Sequence, residues 1–167
     1  MTQHIDDDID WHAEIGAAAR RLGGHVGPFL RETPLWRLPA AALGVEGAGE
    51  VWLKLEHLQT SGSFKARGML NRLLAGDIPE AGVVVASGGN AGIATAAAAR
   101  HLGVRCEVFL PGVSSEAKRQ RLRALGAQVS VVGEVYADAL AACLARQQAT
   151  GALLTHAYDQ VEVVAGA

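Results

Sequence analysis

The chain has 167 residues, 50% hydrophobic and 19% charged, with a formal net charge of −2. That is about one domain with enough apolar material for a core. The charge balance gives no electrostatic basis for binding nucleic acid or an anionic membrane surface. No apolar run approaches the ~20 residues that cross a bilayer.

The N-terminal stretch MTQHIDDDID is acidic and lacks the basic-then-apolar order of a signal peptide, so the cytoplasm is the expected compartment. Asp10 to Leu22 reads as a helix, with Asp10 as its cap and Gly23-Gly24 as its stop. An irregular connector is expected through Pro28, Pro34 and Pro39. Val51 to Leu55 has the branched and aromatic content of a strand, and Phe64 to Leu74 reads as a helix with Leu70, Leu73 and Leu74 on one face.

From Val83 the pattern is regular. Strands are expected at Val83–Ala86, Cys106–Leu110, Gln128–Val132 and Leu153–Thr155. Helices are expected at Ala91–Leu102, Glu116–Leu125 (capped by Ser114 or Ser115) and Tyr136–Ala149. Four strands separated by three helices imply a parallel sheet with right-handed crossovers, in an order the pattern does not reveal. Cys106 and Cys143 form no CxxC pair and are expected to be buried and reduced. The final run, VEVVAGA (Val161–Ala167), has no cap or charged end and reads as a chain cut before its partner layer.

Two stretches carry chemistry. Ser87 to Gly92 (SGGNAG) follows a strand and opens a helix, where free N–H groups and the helix dipole suit an anion. The spacing fits neither GxGxxG nor the Walker pattern, so a carboxylate or phosphate suits it better than a pyrophosphate; an ordinary βα turn is the bland alternative. Asn90 either caps the helix or faces a ligand at the carboxyl end of the strand. The second stretch is SGSFKARG (Ser61–Gly68), which places one of only three lysines at a loop-to-helix junction beside a phenylalanine. Phe64 suits a ring site or a core position, and Ser63 a helix cap or a polar role. The other two lysines, Lys54 and Lys118, read as solvated. Glu56-His57 reads as a loop contact because no second ligand pair has metal-binding spacing; His101 and His156 carry no assignment.

In order, Thr33-Pro34-Leu35, LKLEHLQTSGSFKARG, ASGGNAGIA, KRQRLRALGAQVSVVG and HAYDQ with VVAGA resemble the N-terminal half of the fold-type-II pyridoxal-phosphate enzymes. The match is to the serine/threonine dehydratases, over about Ala13 to Ala167. The resemblance implies an α/β fold of open parallel sheets with flanking helices, tryptophan-synthase-β-like and truncated. Residues 1–79 would be the first segment of a larger cofactor domain, 80–156 a smaller βα domain, and 157–167 the start of the return segment.

It implies pyridoxal 5'-phosphate as cofactor and Lys65 as its Schiff-base lysine, which also moves the substrate's α-proton. Phe64 would pack beside the cofactor ring and Asn90 would bond its ring hydroxyl. Ser87, Gly88, Gly89, Asn90 and Ala91 would hold the substrate carboxylate. The implied reaction converts L-serine or L-threonine to a 2-keto acid and ammonia, and Ala91-Gly92 after the asparagine favours serine. A homodimer is implied for the full-length protein. The phosphate-cradling glycine loop of the family has no counterpart here, so the 167 residues alone are expected to be inactive. Another fold-type-II enzyme (serine racemase, threonine synthase or a cysteine/cystathionine synthase-like enzyme) and a non-catalytic anion-binding βα domain are the alternatives.

Overall fold

A computed structural model describes residues 8–47 and 49–167; Met1 to Asp7, on which most of the acidic N-terminal reading falls, and Ala48 lie outside the described residues. The first helix, α1 (Trp11–Gly23), starts where expected, with the Asp10 carboxylate accepting from Ala13 N at 3.1 Å. The expected connector is not wholly irregular. Its segment Leu35–Pro39 is a strand, β1, paired antiparallel with β2 (Glu50–Lys54) from Leu35↔Lys54 to Pro39↔Glu50. Prolines at 34 and 39 hide this strand in the sequence, yet both sit at its margins, where a missing N–H costs little.

The lysine-bearing helix, α2 (Lys65–Ala75), leads into β3 (Val83–Ala86), α3 (Asn90–Leu102), β4 (Cys106–Leu110), α4 (Glu116–Ala124), β5 (Gln128–Val131), α5 (Tyr136–Thr150) and β6 (Leu153–Thr155). The four strands pair in parallel, in the order β5-β4-β3-β6. β3 and β4 are buried almost throughout because helices cover both faces, which explains why VVVA and CEVFL lack clean alternation. Val83, Val85, Val108 and Leu110 meet the side that carries α2, α3 and α4, while Val84, Ala86 and Phe109 meet α5. Cys106 belongs to the first of these cores and Cys143 to the second, so the sheet separates two free, buried thiols. Burial pushes each thiol up to about 12.

One local expectation needs correction: Ser115 occupies the N-cap of α4, but neither it nor Ser114 supplies a side-chain capping bond. Within the terminal apolar run, Val161–Ala165 forms a short helix, α6. α6 lies against α2 closely enough that a Cβ on Gly68 would overlap the Val163 carbonyl oxygen. Buried Asn71 fastens the pair, donating to Glu162 O at 2.7 Å and accepting from Arg21 at 3.0 Å, while Arg72 bonds the Glu162 carboxylate at 3.2 Å. α1, α2 and α6 thus form one packed layer beside the sheet. Among the described residues, no helix is long and apolar enough to cross a membrane.

Candidate active site

The strand order determines where a ligand can sit. From β3 the chain steps to β4 and β5 on one side, then returns through α5 to β6 on the other. The crevice between the carboxyl ends of β3 and β6 is therefore a topological switch point, the usual ligand position in open α/β sheets. The SGGN loop leaves β3 there, and His156-Ala157 leaves β6 beside it. Val85 pairs with Thr155, so Ser87 and Ala157 are each two residues beyond matched positions. The two loops begin one strand spacing apart, about 4.8 Å.

Lys65 enters this crevice from α2. Its Nζ donates to Ala157 O at 2.8 Å and lies 5.0 Å from the Phe64 ring centre and 5.7 Å from that of Tyr158. Burial lowers the lysine pKa from its ordinary value, because the apolar surroundings penalise the charged form. Phe64 is 45% exposed, which excludes the core alternative. Ser63 does not cap α2: Phe64 holds the N-cap position, and the Ser63 hydroxyl, like that of Ser61, is buried without a hydrogen-bond partner among the described residues.

The beginning of α2 is braced from the opposite side. The Glu56 carboxylate accepts from Arg67 Nε at 3.2 Å through both oxygens and from Thr33 Oγ1 at 2.5 Å. Gln59, also buried, bonds both backbone groups of Arg31, accepting from its N–H at 2.7 Å and donating to its carbonyl at 2.9 Å. Glu56 thus makes the structural contact expected of it. Lys54 is exposed, with its amine on the Thr33 carbonyl, and Lys118 is exposed on α4. Among the described residues no group of three or more His, Cys, Asp or Glu side chains could hold a metal.

At the other side of the crevice, Gly89 is the N-cap of α3 and Asn90 its first residue, with no side-chain capping bond. Asn90 therefore does not cap the helix; it is exposed, and its amide has no partner among the described residues. The N–H groups of Asn90, Ala91 and Gly92 precede the first intrahelical bond, from Ile93 N to Gly89 O, and are free by helix geometry. The Ser87 hydroxyl accepts from Gly89 N at 3.3 Å, which holds the loop closed upon itself. Gly92 is required here, since any Cβ would overlap the Ser87 carbonyl oxygen. The site thus offers a deprotonation-prone amine beside an aromatic ring and, at the carboxyl end of β3, a helix start suited to an anion.

The chain matches the sequence pattern of the family described as "Pyridoxal-phosphate dependent enzyme" over residues 26–167. It belongs to that family. It is 38% identical over 120 residues to the L-threonine ammonia-lyase of Thermotoga maritima, covering 71% of this chain and 30% of that one. It is 37% identical over 159 residues to a biosynthetic L-threonine dehydratase of Mycobacterium bovis, covering 92% and 36%. Among solved structures, it matches the threonine deaminase of T.th. with TM-score 0.76 and 36% identity, covering 92% of this chain and 47% of that one. It also matches a pyridoxal 5'-phosphate-dependent aspartate racemase with TM-score 0.79 and 29% identity, covering 93% and 47%. The fold is thus that of the fold-type-II enzymes, and pyridoxal phosphate is the family's cofactor. The chain spans between 30% and 40% of the length of the curated relatives it matches.

The lysine, its phenylalanine and the SGGN loop are all visible as sequence motifs. The Ala157 carbonyl and the Tyr158 ring beside the amine are not. HAYDQ is legible as a motif, but its nearness to Lys65 depends on β6 pairing with β3, which periodicity does not reveal. A cleft of about 410 Å³ at the amino ends of the strands, lined by Arg105, Glu107, Gln128 and Arg146, is remote from this chemistry. Arg146 is already committed there to Glu107 at 2.9 Å.

Proposed function

We propose that the full-length protein is a pyridoxal-phosphate-dependent ammonia-lyase acting on L-serine, L-threonine or both, with Lys65 as the Schiff-base lysine. The observation that carries this reading is the half-buried Lys65 amine, made easier to deprotonate by burial and placed between Phe64 and the crevice at the β3–β6 switch point.

The residues present fit that cofactor. A neutral amine is needed to attack its aldehyde, and burial favours the neutral form. Two buried hydroxyls, on Ser61 and Ser63, stand unpartnered near the lysine in sequence, and the Asn90 amide is free to bond a ring hydroxyl. When bound, pyridoxal phosphate supplies an electron sink that stabilises the negative charge left when the substrate's α-proton departs. Lys65 would hold the cofactor, and its Nζ would take that α-proton. Phe64 would pack beside the ring. Ser87, Gly88, Gly89, Asn90 and Ala91 bind and orient the substrate carboxylate through N–H groups at the start of α3. Glu56 and Arg67 hold the first turn of α2, and so the lysine, in register with Thr33.

In this assignment residues 1–79 are the first segment of a larger cofactor domain, 80–156 a smaller βα domain and 157–167 the start of the return segment. The protein is assigned to the cytoplasm, which suits its two reduced, buried thiols, and to a homodimer, which rests on the family resemblance. The relatives' names favour threonine, whereas Ala91-Gly92 in the loop favours serine, so both substrates are retained. The test is release of pyruvate from L-serine and of 2-oxobutyrate from L-threonine by the full-length protein. Release of either, abolished in Lys65→Ala, is expected. Neither product, with the cofactor still attached to Lys65, would favour a racemase or synthase of the same fold.

A further inference from the structure

Tyr158 is an unusual surface tyrosine. It is 65% exposed, yet its ring centre lies 5.7 Å from the Lys65 amine, and the residue before it accepts the lysine's hydrogen bond. The loop that presents it is pinned at several points. His156 N donates to Gln160 Oε1 at 2.7 Å, and Gln160 Nε2 donates to Leu154 O at 3.2 Å. His156 Nδ1 lies 3.2 Å from Tyr158 N and 3.0 Å from Tyr158 O. Nδ1 accepts from the first in one tautomer and donates to the second in the other, so either tautomer anchors the loop. The His156 ring also packs edge-on to the tyrosine, 6.0 Å between centres. Asp159 completes the turn in the left-handed region, at φ 54°. A non-glycine residue held there needs surrounding contacts to maintain it. The outcome is a fixed loop carrying a free ring over the reactive amine.

We propose that Tyr158 is a specificity-determining residue whose ring forms the wall met by the side chain of the amino-acid substrate. This rests on the assignment of Lys65 as the Schiff-base lysine. The substrate amine must take the place occupied by the lysine amine, which puts the substrate's Cβ about 2.5 Å from that point. With the carboxylate drawn to the start of α3 and the α-hydrogen facing Lys65, the side chain is the group left to face Tyr158. A ring centred 5.7 Å from the amine is within reach of a substituent on Cβ. It therefore senses the one methyl group by which L-threonine differs from L-serine. One methyl against a packed wall is worth about tenfold in discrimination.

The test uses the full-length protein loaded with pyridoxal phosphate, with Tyr158→Ala, Tyr158→Trp and Tyr158→Phe. L-alanine and L-2-aminobutyrate differ by the same methyl and lack a leaving group. Their dissociation constants are read from the change in the visible absorbance of the lysine-bound cofactor. Tyr158→Ala is expected to move the ratio of the two constants by about tenfold towards L-2-aminobutyrate, and Tyr158→Trp to move it towards L-alanine. Tyr158→Phe is expected to stay within about twofold of wild type, because the ring and not the hydroxyl makes the wall. The kcat/KM ratio for L-threonine over L-serine should follow the same order. A ratio unmoved in both Tyr158→Ala and Tyr158→Trp, with the Schiff-base absorbance intact, overturns the proposal. Loss of that absorbance in these two variants also overturns it, by placing the ring on the cofactor instead. If the wild-type protein shows no such absorbance, the assignment of Lys65 itself fails.

Discussion

The contact between α2 and α6 can be tested by adding one methyl group. Gly68 lies one turn after Lys65, and a Cβ there would overlap Val163 O, 3.2 Å from the Val163 carbonyl carbon and 3.3 Å from its Cγ1. The obstacle is mainly backbone, so a rotamer change cannot relieve it. Restoring an ordinary contact requires α6 to withdraw by roughly 1 Å. That movement would pull the Asn71–Glu162 bond from 2.7 Å towards the limit of hydrogen bonding. Overpacking against a rigid neighbour costs about 3 kcal/mol. Alanine regains about 1 kcal/mol of helix propensity. Gly68→Ala should therefore lose about 2 kcal/mol of stability in equilibrium urea unfolding. The same change at Gly16, in mid-α1, meets only the end of the flexible Arg20 side chain at 3.5 Å and should stabilise by up to about 1 kcal/mol. If Gly68→Ala proves as stable as wild type, the close α2–α6 packing is wrong.

Asn71→Ala should cost about 1–3 kcal/mol in the same assay, since it removes two bonds of a buried amide, the one to Glu162 O, which keeps only Gly166 N, and the one from Arg21; a loss under about 0.5 kcal/mol would contradict the bridging role. With both thiols pushed to about 12, Cys106 and Cys143 should resist iodoacetamide in the native protein at pH 8 and react only on unfolding. Rapid native labelling of either would refute their burial. Because Lys65 has a lowered pKa, the folded state binds fewer protons than the unfolded state between that pKa and the ordinary lysine value. Stability contributed by this residue should rise with pH through that window, and Lys65→Met should flatten the slope. A slope that is unchanged or reversed would show the amine is not desolvated.

Much of the fold was legible because its elements obey simple periodicity. The limits of β3, β4 and β6 follow from short branched runs bounded by turn residues, and α3 ends at Gly103 in the left-handed conformation expected of a glycine stop. β1 was hidden by its flanking prolines, and α6 by an apolar run whose helical face is set by α2 and not by its own pattern. Side-chain roles at single positions were harder to read. Ser115 and Asn90 are residue types that favour capping, but nothing local reveals that their side chains make no such bond. Lys65 was legible because a lysine between small and hydroxyl residues has few structural reasons to be there. Tyr158 was not, because its relation to Lys65 spans 93 positions and exists only through the β3–β6 pairing.

The central claim is that Lys65 carries the cofactor. It is tested most directly by incubating the full-length protein with pyridoxal phosphate, reducing with borohydride and mapping the modified peptide. The account predicts a single stable adduct on Lys65, absent from Lys65→Ala and formed in preference to any on the exposed Lys54 and Lys118. An adduct distributed over the surface lysines, or none at Lys65, would contradict it.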